Sequence, residues 1–236
     1  MRPIGFSTGA LAYSDFRRGV TMTQSGQCSA VELSALRQPE LLPMLDALDS
    51  VDLTSFSYVS IHAPSQIEPE WEAVIWESLR RELWRRWPIV VHPDMLFDIS
   101  LWREFGSLLC VENMDKRKPI GRTAKELDWI FTQLPDASMC FDIGHARQCD
   151  PTMTEAYLIL RNFGSKLRQV HVSEVNTQSR HDRLSFGSIL AFQEVAHLVP
   201  ENVPLILEIP VTEVDMAEEI LKAHDALPLV RRTMVA

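Results

Sequence analysis

The feature that most limits what this chain can fold into is a rhythm: eight short apolar runs, each followed by a longer and more polar stretch. The runs are Ile4 to Thr8, Ala30 to Ser34, Tyr58 to His62, Ile89 to His92, Leu108 to Asn113, Met139 to Asp142, Gln169 to Ser173 and Leu205 to Ile209. Strands of a parallel sheet are buried on both faces and read as near-continuous apolar runs, and parallel neighbours need a crossover between them, usually a helix. Eight such strands are the number that closes a (β/α)8 TIM barrel, a fold that takes about 250 residues. With 236 residues available, the expectation is one α/β barrel domain spanning 1–236.

The stretches between the runs support this. Glu68 to Trp87, Thr123 to Leu134, Thr152 to Phe163 and Glu213 to Leu227 carry helical patterning, with Pro or Gly near many junctions. In the first of them Trp76, Leu79, Leu83 and Trp87 recur at helical spacing, which predicts a stripe packed on the barrel wall rather than a ligand-binding aromatic cluster. Arg80, Arg81, Arg85 and Arg86 read as the solvated face of the same helix. Its tryptophans are the one hint of a surface for a homo-oligomer.

Composition narrows the function classes. A hydrophobic share of 46% and a charged share of 23% are those of an ordinary globular chain, and no low-complexity linker interrupts it. The net charge of −9 disfavours nucleic acid as a partner and favours a small-molecule substrate. No apolar leader follows a basic start and no run is long enough to span a bilayer, so a cytoplasmic protein without a membrane partner is expected. Cys28, Cys110, Cys140 and Cys149 form no CxxC pair and are read as reduced thiols.

Chemistry gathers at the ends of the runs. His62 in SIHAP, His92 in VVHPD, Glu112 in CVENM, Asp142 and His145 in CFDIGH, His171 in QVHVS and Glu208 in LILEIP all lie at or just past a predicted strand end. Barrel active sites sit at the C-terminal ends of the strands, so these side chains converge on one mouth. Singly, each has a plain structural explanation, such as a cap, an ion pair or a satisfied core histidine. Together, three carboxylates and several imidazoles in one cavity repel and desolvate one another unless a cation offsets their charge. Mixed oxygen and nitrogen ligation by Glu112, Asp142, His171 and Glu208 suits Mn²⁺, Zn²⁺, Fe²⁺ or Co²⁺, and Mg²⁺ less well. His62 and His92 either complete a second metal site bridged by Glu112 or orient substrate and ligands, and Glu32 in AVELS is placed to support the ligands from behind.

The ordered series His62, His92, Glu112, Asp142-Ile-Gly-His145, His171 and Glu208 resembles the xylose isomerase-like barrel superfamily, which holds sugar isomerases and epimerases as well as endonuclease IV. The resemblance covers almost the whole chain. On the isomerase pattern it implies one ion on Glu112, Asp142, His171 and Glu208, with His145 touching a substrate hydroxyl or carbonyl. Glu112 and Glu208 would then exchange a proton on opposite faces of a metal-stabilised enediolate formed from a small sugar, a sugar phosphate or a related carbonyl compound. On the endonuclease IV pattern it implies a further ion on His62, His92 and Glu112, and phosphodiester hydrolysis of the AP-endonuclease kind.

That nuclease pattern has an acid-Arg-His element after the seventh strand for a third ion, where this chain reads Arg180-His181-Asp182-Arg183. His181, Asp182 and Arg183 are therefore candidates for a third metal or for substrate. Lys116, with Arg117, Lys118 and Arg122, is a candidate to hold a substrate phosphate. The short connections and acidic balance rank isomerase or epimerase ahead of nuclease, with a non-catalytic binding barrel third. His197 and His224 fall in predicted helices and are read as structural.

Overall fold

The computed structural model describes residues 2–26 and 28–229. All eight predicted strands are present: β1 (Ile4–Ser7), β2 (Ala30–Ser34), β3 (Tyr58–His62), β4 (Ile89–Val91), β5 (Leu109–Glu112), β6 (Ser138–Asp142), β7 (Leu167–Val172) and, after a small hairpin of β8 (Glu174–Val175) and β9 (His181–Asp182), β10 (Leu205–Leu207). They close into a parallel barrel in the order β1-β10-β7-β6-β5-β4-β3-β2. The fold is therefore a (β/α)8 barrel. Its closing pair sets Ile4 against Leu205 and Phe6 against Leu207, so the sheet leaves no free edge.

Outside the barrel run α1 (Thr8–Ala12), α2 (Phe16–Ser25), α3 (Gln38–Ala47), α4 (Glu72–Arg80), α5 (Ala124–Gln133), α6 (Ile143–Cys149), α7 (Thr154–Phe163), α8 (Phe186–Gln193) and α9 (Met216–Ala226). No helix among the described residues is long and apolar enough to cross a membrane. The long helix expected over Glu68 to Trp87 is shorter than its pattern: α4 is flanked by 3₁₀ turns at Pro69–Trp71 and Leu83–Arg85. Two local causes end it. Arg86 takes a left-handed conformation at φ 57°, and Trp87 precedes Pro88, which disfavours helical backbone.

The stripe nevertheless packs as predicted, with Leu79 fully buried and Trp76, Leu83 and Trp87 lying against the core. The arginine face needs one correction. Arg80 and Arg81 are exposed beside Glu77, but the Arg85 guanidinium is largely buried, 4.3 Å from the Trp84 ring and 5.1 Å from the Trp87 ring, and paired with Glu82 and Asp49. Stacking on two indole faces draws it out of solvent.

Strand alternation separates two interiors. Residues such as Val31, Leu33, Ile61, Val91, Val111, Phe141 and Leu207 belong to the main hydrophobic core. Their neighbours Val90, Cys110 and Cys140 form a small cluster of their own, the dry part of the barrel lumen. Two residues further along β5 and β6 come Glu112 and Asp142, and the same step on β3 and β7 leads from Ser60 to His62 and from Gln169 to His171. Because successive side chains alternate faces, this period of two lifts each inward row from an apolar or neutral layer to a charged one at the C-terminal mouth.

Candidate metal centre

Local sequence fixes each side chain before the mouth is assembled. Asp142 ends β6 and caps α6, its Oδ1 accepting from the His145 backbone N–H at 2.6 Å, which explains the Asp-Ile-Gly-His spacing. Gly144 is required there, since a Cβ would sit 2.5 Å from the Ser173 carbonyl oxygen. Asn113 ties β5 to β6 by donating to the Asp142 carbonyl and accepting from the Asp142 N–H, both at 2.8 Å.

Glu112 lies at the centre, with 1% of its side chain exposed. Its two oxygens face different histidines. Oε2 lies 3.1 Å from His62 Nε2 and 3.3 Å from His92 Nε2, while Oε1 lies 3.2 Å from His145 Nδ1 and 3.5 Å from His171 Nδ1. His171 Nδ1 is also 3.4 Å from Glu208 Oε2, which lies 3.6 Å from His181 Nδ1. Among the described residues five sets of donor atoms are close enough to share an ion: His62, His92 and Glu112; Glu112, Asp142, His171 and Glu208; Asp142, His145 and His181; Glu32, His62, His171 and Glu208; and Glu112, Cys140 and His171.

The charges respond to this crowding. Burial would depress the His62 imidazolium, but its bond to Glu112 and the charges of Glu32, Glu112 and Glu208 lift its pKa to about 9. His145 rises to about 10 against the same burial penalty, mainly through Asp142 and Glu112, and His171 is also well above its ordinary value. His92 goes the other way, burial outweighing Glu112. Burial raises Asp142, whereas Glu112 and Glu208 are held far below the usual carboxylate range despite burial, by the histidines around them.

What the protein leaves unpaired tests whether a cation suits these residues. The buried atoms Asp142 Oδ2 and His171 Nδ1 have no hydrogen-bond partner among the described residues. His62 Nδ1 donates to the Ala63 carbonyl at 2.6 Å, so in the neutral ring the lone pair on Nε2 points at a carboxylate oxygen. Lone pairs and carboxylates aimed at one another are what a divalent cation resolves. The donor set fits one.

The mouth opens into a cavity of about 930 Å³, lined by Glu112, His62, His92, His145, His181 and Glu208 among others. All six residues expected to bind metal, and His145, are therefore brought together. His181 joins them, held by Ser173 Oγ at 2.8 Å. Asp182 and Arg183 do not. Asp182 is exposed, and Arg183 turns away to Glu219, 2.7 Å from its Nε, and to Glu218 and Asp215. Consecutive residues of β9 point to opposite sides, so only one of the pair can face the mouth.

Lys116 is exposed and off the cavity; Arg117 and Lys118 line it instead, already paired with Asp115 and Asp94. Arg122 pairs with Glu126. Sequence reasoning missed Arg37 and Arg180, which line the cavity and have no ion pair among the described residues, and it missed Gln169. The signal for Gln169 was available: it stands two residues before His171 on the same inward row.

No family model and no curated protein matches the sequence. Solved structures do. Endonuclease IV from Thermus thermophilus aligns over 95% of this chain and 98% of its own, with a TM-score of 0.63 and 18% identity. A xylose isomerase domain protein from Planctomyces limnophilus aligns over 88% and 89%, at 0.54 and 12%. The chain shares the (β/α)8 barrel fold of these structures. A candidate sugar phosphate isomerase/epimerase from Anabaena variabilis aligns over 98% of this chain and 89% of its own, at 0.58 and 14%. At such identities the likeness is one of fold, and the chemistry has to be argued from the site.

Proposed function

We propose that this chain is a metal-dependent phosphoester hydrolase acting on a compact phosphorylated substrate. The observation that carries the reading is the division of Glu112, whose Oε2 faces His62 and His92 while its Oε1 faces His145 and His171. A carboxylate set between two groups of imidazoles is placed to bridge two neighbouring ions. His62, His92 and Glu112 would hold one, and Glu112, Asp142, His171 and Glu208 the other. Divalent ions bound there supply Lewis acidity toward a phosphoryl oxygen and lower the pKa of an attacking water. The imidazole-rich donor set favours Zn²⁺ or Mn²⁺ over Mg²⁺.

The chain's own residues do the rest. His145 donates Nδ1–H to the Asn113 carbonyl at 3.0 Å, which holds the ring beside His181, the two centroids 5.2 Å apart. With Nδ1–H engaged in this way, a protonated His145 can donate a hydrogen bond to a substrate oxygen, and a proton to a leaving alkoxide, through its other ring nitrogen. Arg37 and Arg180 at the mouth suit a phosphate. The volume suits a small ligand, since ligand cavities run from about 300 to about 1,000 Å³. Duplex DNA is disfavoured by the net charge of −9.

A second reading, sugar isomerase or epimerase, is favoured by one further observation: Glu112 and Glu208 both approach His171 Nδ1, at 3.5 and 3.4 Å. Two carboxylates at one position are what proton exchange needs. Assays of the zinc- and manganese-loaded protein on phosphate mono- and diesters, beside ketoses and ketose phosphates, separate the two. Phosphoester cleavage is expected, seen as free phosphate from monoesters and as the released alcohol from diesters, and ketose interconversion without it would transfer the assignment. Glu208→Gln is expected to abolish turnover in either case while keeping the fold; full activity in that variant would remove Glu208 from the mechanism.

A further inference from the structure

Beneath the centre lies a polar layer that the proposed chemistry does not use. Glu32 points from β2 into the lumen and is completely buried. Its Oε2 accepts from Ser60 Oγ at 3.2 Å and from Gln169 Nε2 at 2.7 Å, and lies 3.1 Å from His171 Nε2 across the barrel. Its Oε1 has no partner among the described residues. The Tyr58 hydroxyl donates to Gln169 Oε1 at 2.7 Å, which turns the Gln169 amide nitrogen toward Glu32.

A carboxylate in the middle of a barrel is costly unless a positive charge or several donors compensate it. Among the described residues its one ion-pair partner is His171. The same ring nitrogen also lies 2.8 Å from Gln169 Nε2. Metal ligation needs the neutral ring, and neutral His171 has two alternatives. If Nε2 accepts from Gln169, the ring proton sits on Nδ1, facing Glu112 and Glu208, and no lone pair is left for an ion. If Nε2–H donates to Glu32, Nδ1 is free, and Nδ1 is the atom left unpaired at the mouth.

We infer that Glu32 is a positioning residue for the metal centre: it holds the Nε2–H tautomer of His171 and so turns Nδ1 into a ligand for the ion shared with Asp142 and Glu208. This rests on the metal-centre reading above. Ser60 and Gln169 are its donors, and they keep the Glu32 carboxylate in place when His171 gives its other nitrogen to an ion. An outer carboxylate of this kind fixes ring orientation and raises ligand basicity, and its loss commonly costs about 10–100-fold in metal affinity. Glu32 is not among the residues that line the mouth cavity, although its carboxylate lies within 4.8 Å of donor atoms on His62, His171 and Glu208.

The test is a zinc titration against a competing chelator of wild type, Glu32→Gln and His92→Ala, together with ¹⁵N spectra of the histidine rings in the zinc-loaded wild type. His92→Ala identifies the ion held on the His62 side, so the affinity of the inner ion is read separately. Glu32→Gln is expected to weaken the inner ion about 10–100-fold and to leave the outer ion and the metal-free melting temperature nearly unchanged. The spectra are expected to show the His171 proton on Nε2. A proton on Nδ1, unchanged inner affinity, or equal weakening of both ions with a lower metal-free melting temperature would each overturn the inference. Failure of the wild type to bind any ion would sink the metal-centre reading as well, and that outcome is distinct from the other three.

Discussion

Replacing His92 by Ala removes one of three ligands from the His62, His92 and Glu112 set and none from the Glu112, Asp142, His171 and Glu208 set. If both sets bind, each ion present at about 100 times its dissociation constant adds about 2.7 kcal/mol of stability. In a chain of this length about 1 kcal/mol moves the melting temperature by about 2–4 °C. Each ion should thus raise it by about 5–11 °C, and both by about twice that. His92→Ala is expected to lose one ion per chain and about half of the metal-induced rise, whereas Glu112→Gln, which alters the bridging group, should lose most of both. The assay pairs elemental analysis with thermal melts of each variant with and without chelator. Only the difference between the two melts is read, so the cavity left by a buried imidazole cancels. A wild type that holds one ion, retained in His92→Ala with an undiminished thermal rise, would refute the bridged arrangement.

Three further outcomes follow from the same contacts. His62 and His145 stand at about 9 and about 10, above about 6.5 in an unfolded chain. Raised values give stability that is complete below the unfolded pKa and lost as pH climbs through the folded ones, so the metal-free protein should melt lower at each step from about pH 6.5 to about pH 10. The metal-loaded protein should gain affinity over the same rise, because ligation needs deprotonated rings; a flat metal-free profile would contradict the charge assignments. Arg183→Ala should lower stability only slightly, since partly exposed pairs contribute little and Lys222 still reaches the buried Glu219, and it should leave metal content untouched; loss of an ion would return Arg183 to the site. Gly5→Ala would place a Cβ 1.7 Å from the Ala30 carbonyl oxygen, and a cost of about 3 kcal/mol is expected in denaturant melts; a neutral result would mean that β1 and β2 are not held in this register.

The barrel and most of its centre were legible in the sequence for a physical reason. A strand buried on both faces must be apolar along its length, so a charged residue or histidine at its end stands out, and the (β/α)8 architecture brings those ends together. Glu112, Asp142, His171, Glu208, His62, His92 and His145 were found this way, and all seven meet at one mouth. The helix over Glu68 to Trp87 was overextended because periodicity reports which face is apolar, not where the backbone must turn, and the turn lies at Arg86 before Trp87-Pro88.

Composition and pattern determined, with no coordinates, that this chain alternates strand with crossover and gathers its acids and imidazoles at one end. Only the tertiary structure decided which oxygen of Glu112 faces which histidine, that His181 enters the mouth while Asp182 and Arg183 leave it, and that Glu32 meets His171 and Gln169 across the lumen. Alternation along a strand is local and can be read residue by residue. Which residues face each other across a barrel depends on the tilt and stagger of all its strands at once, and those are set only when the sheet closes.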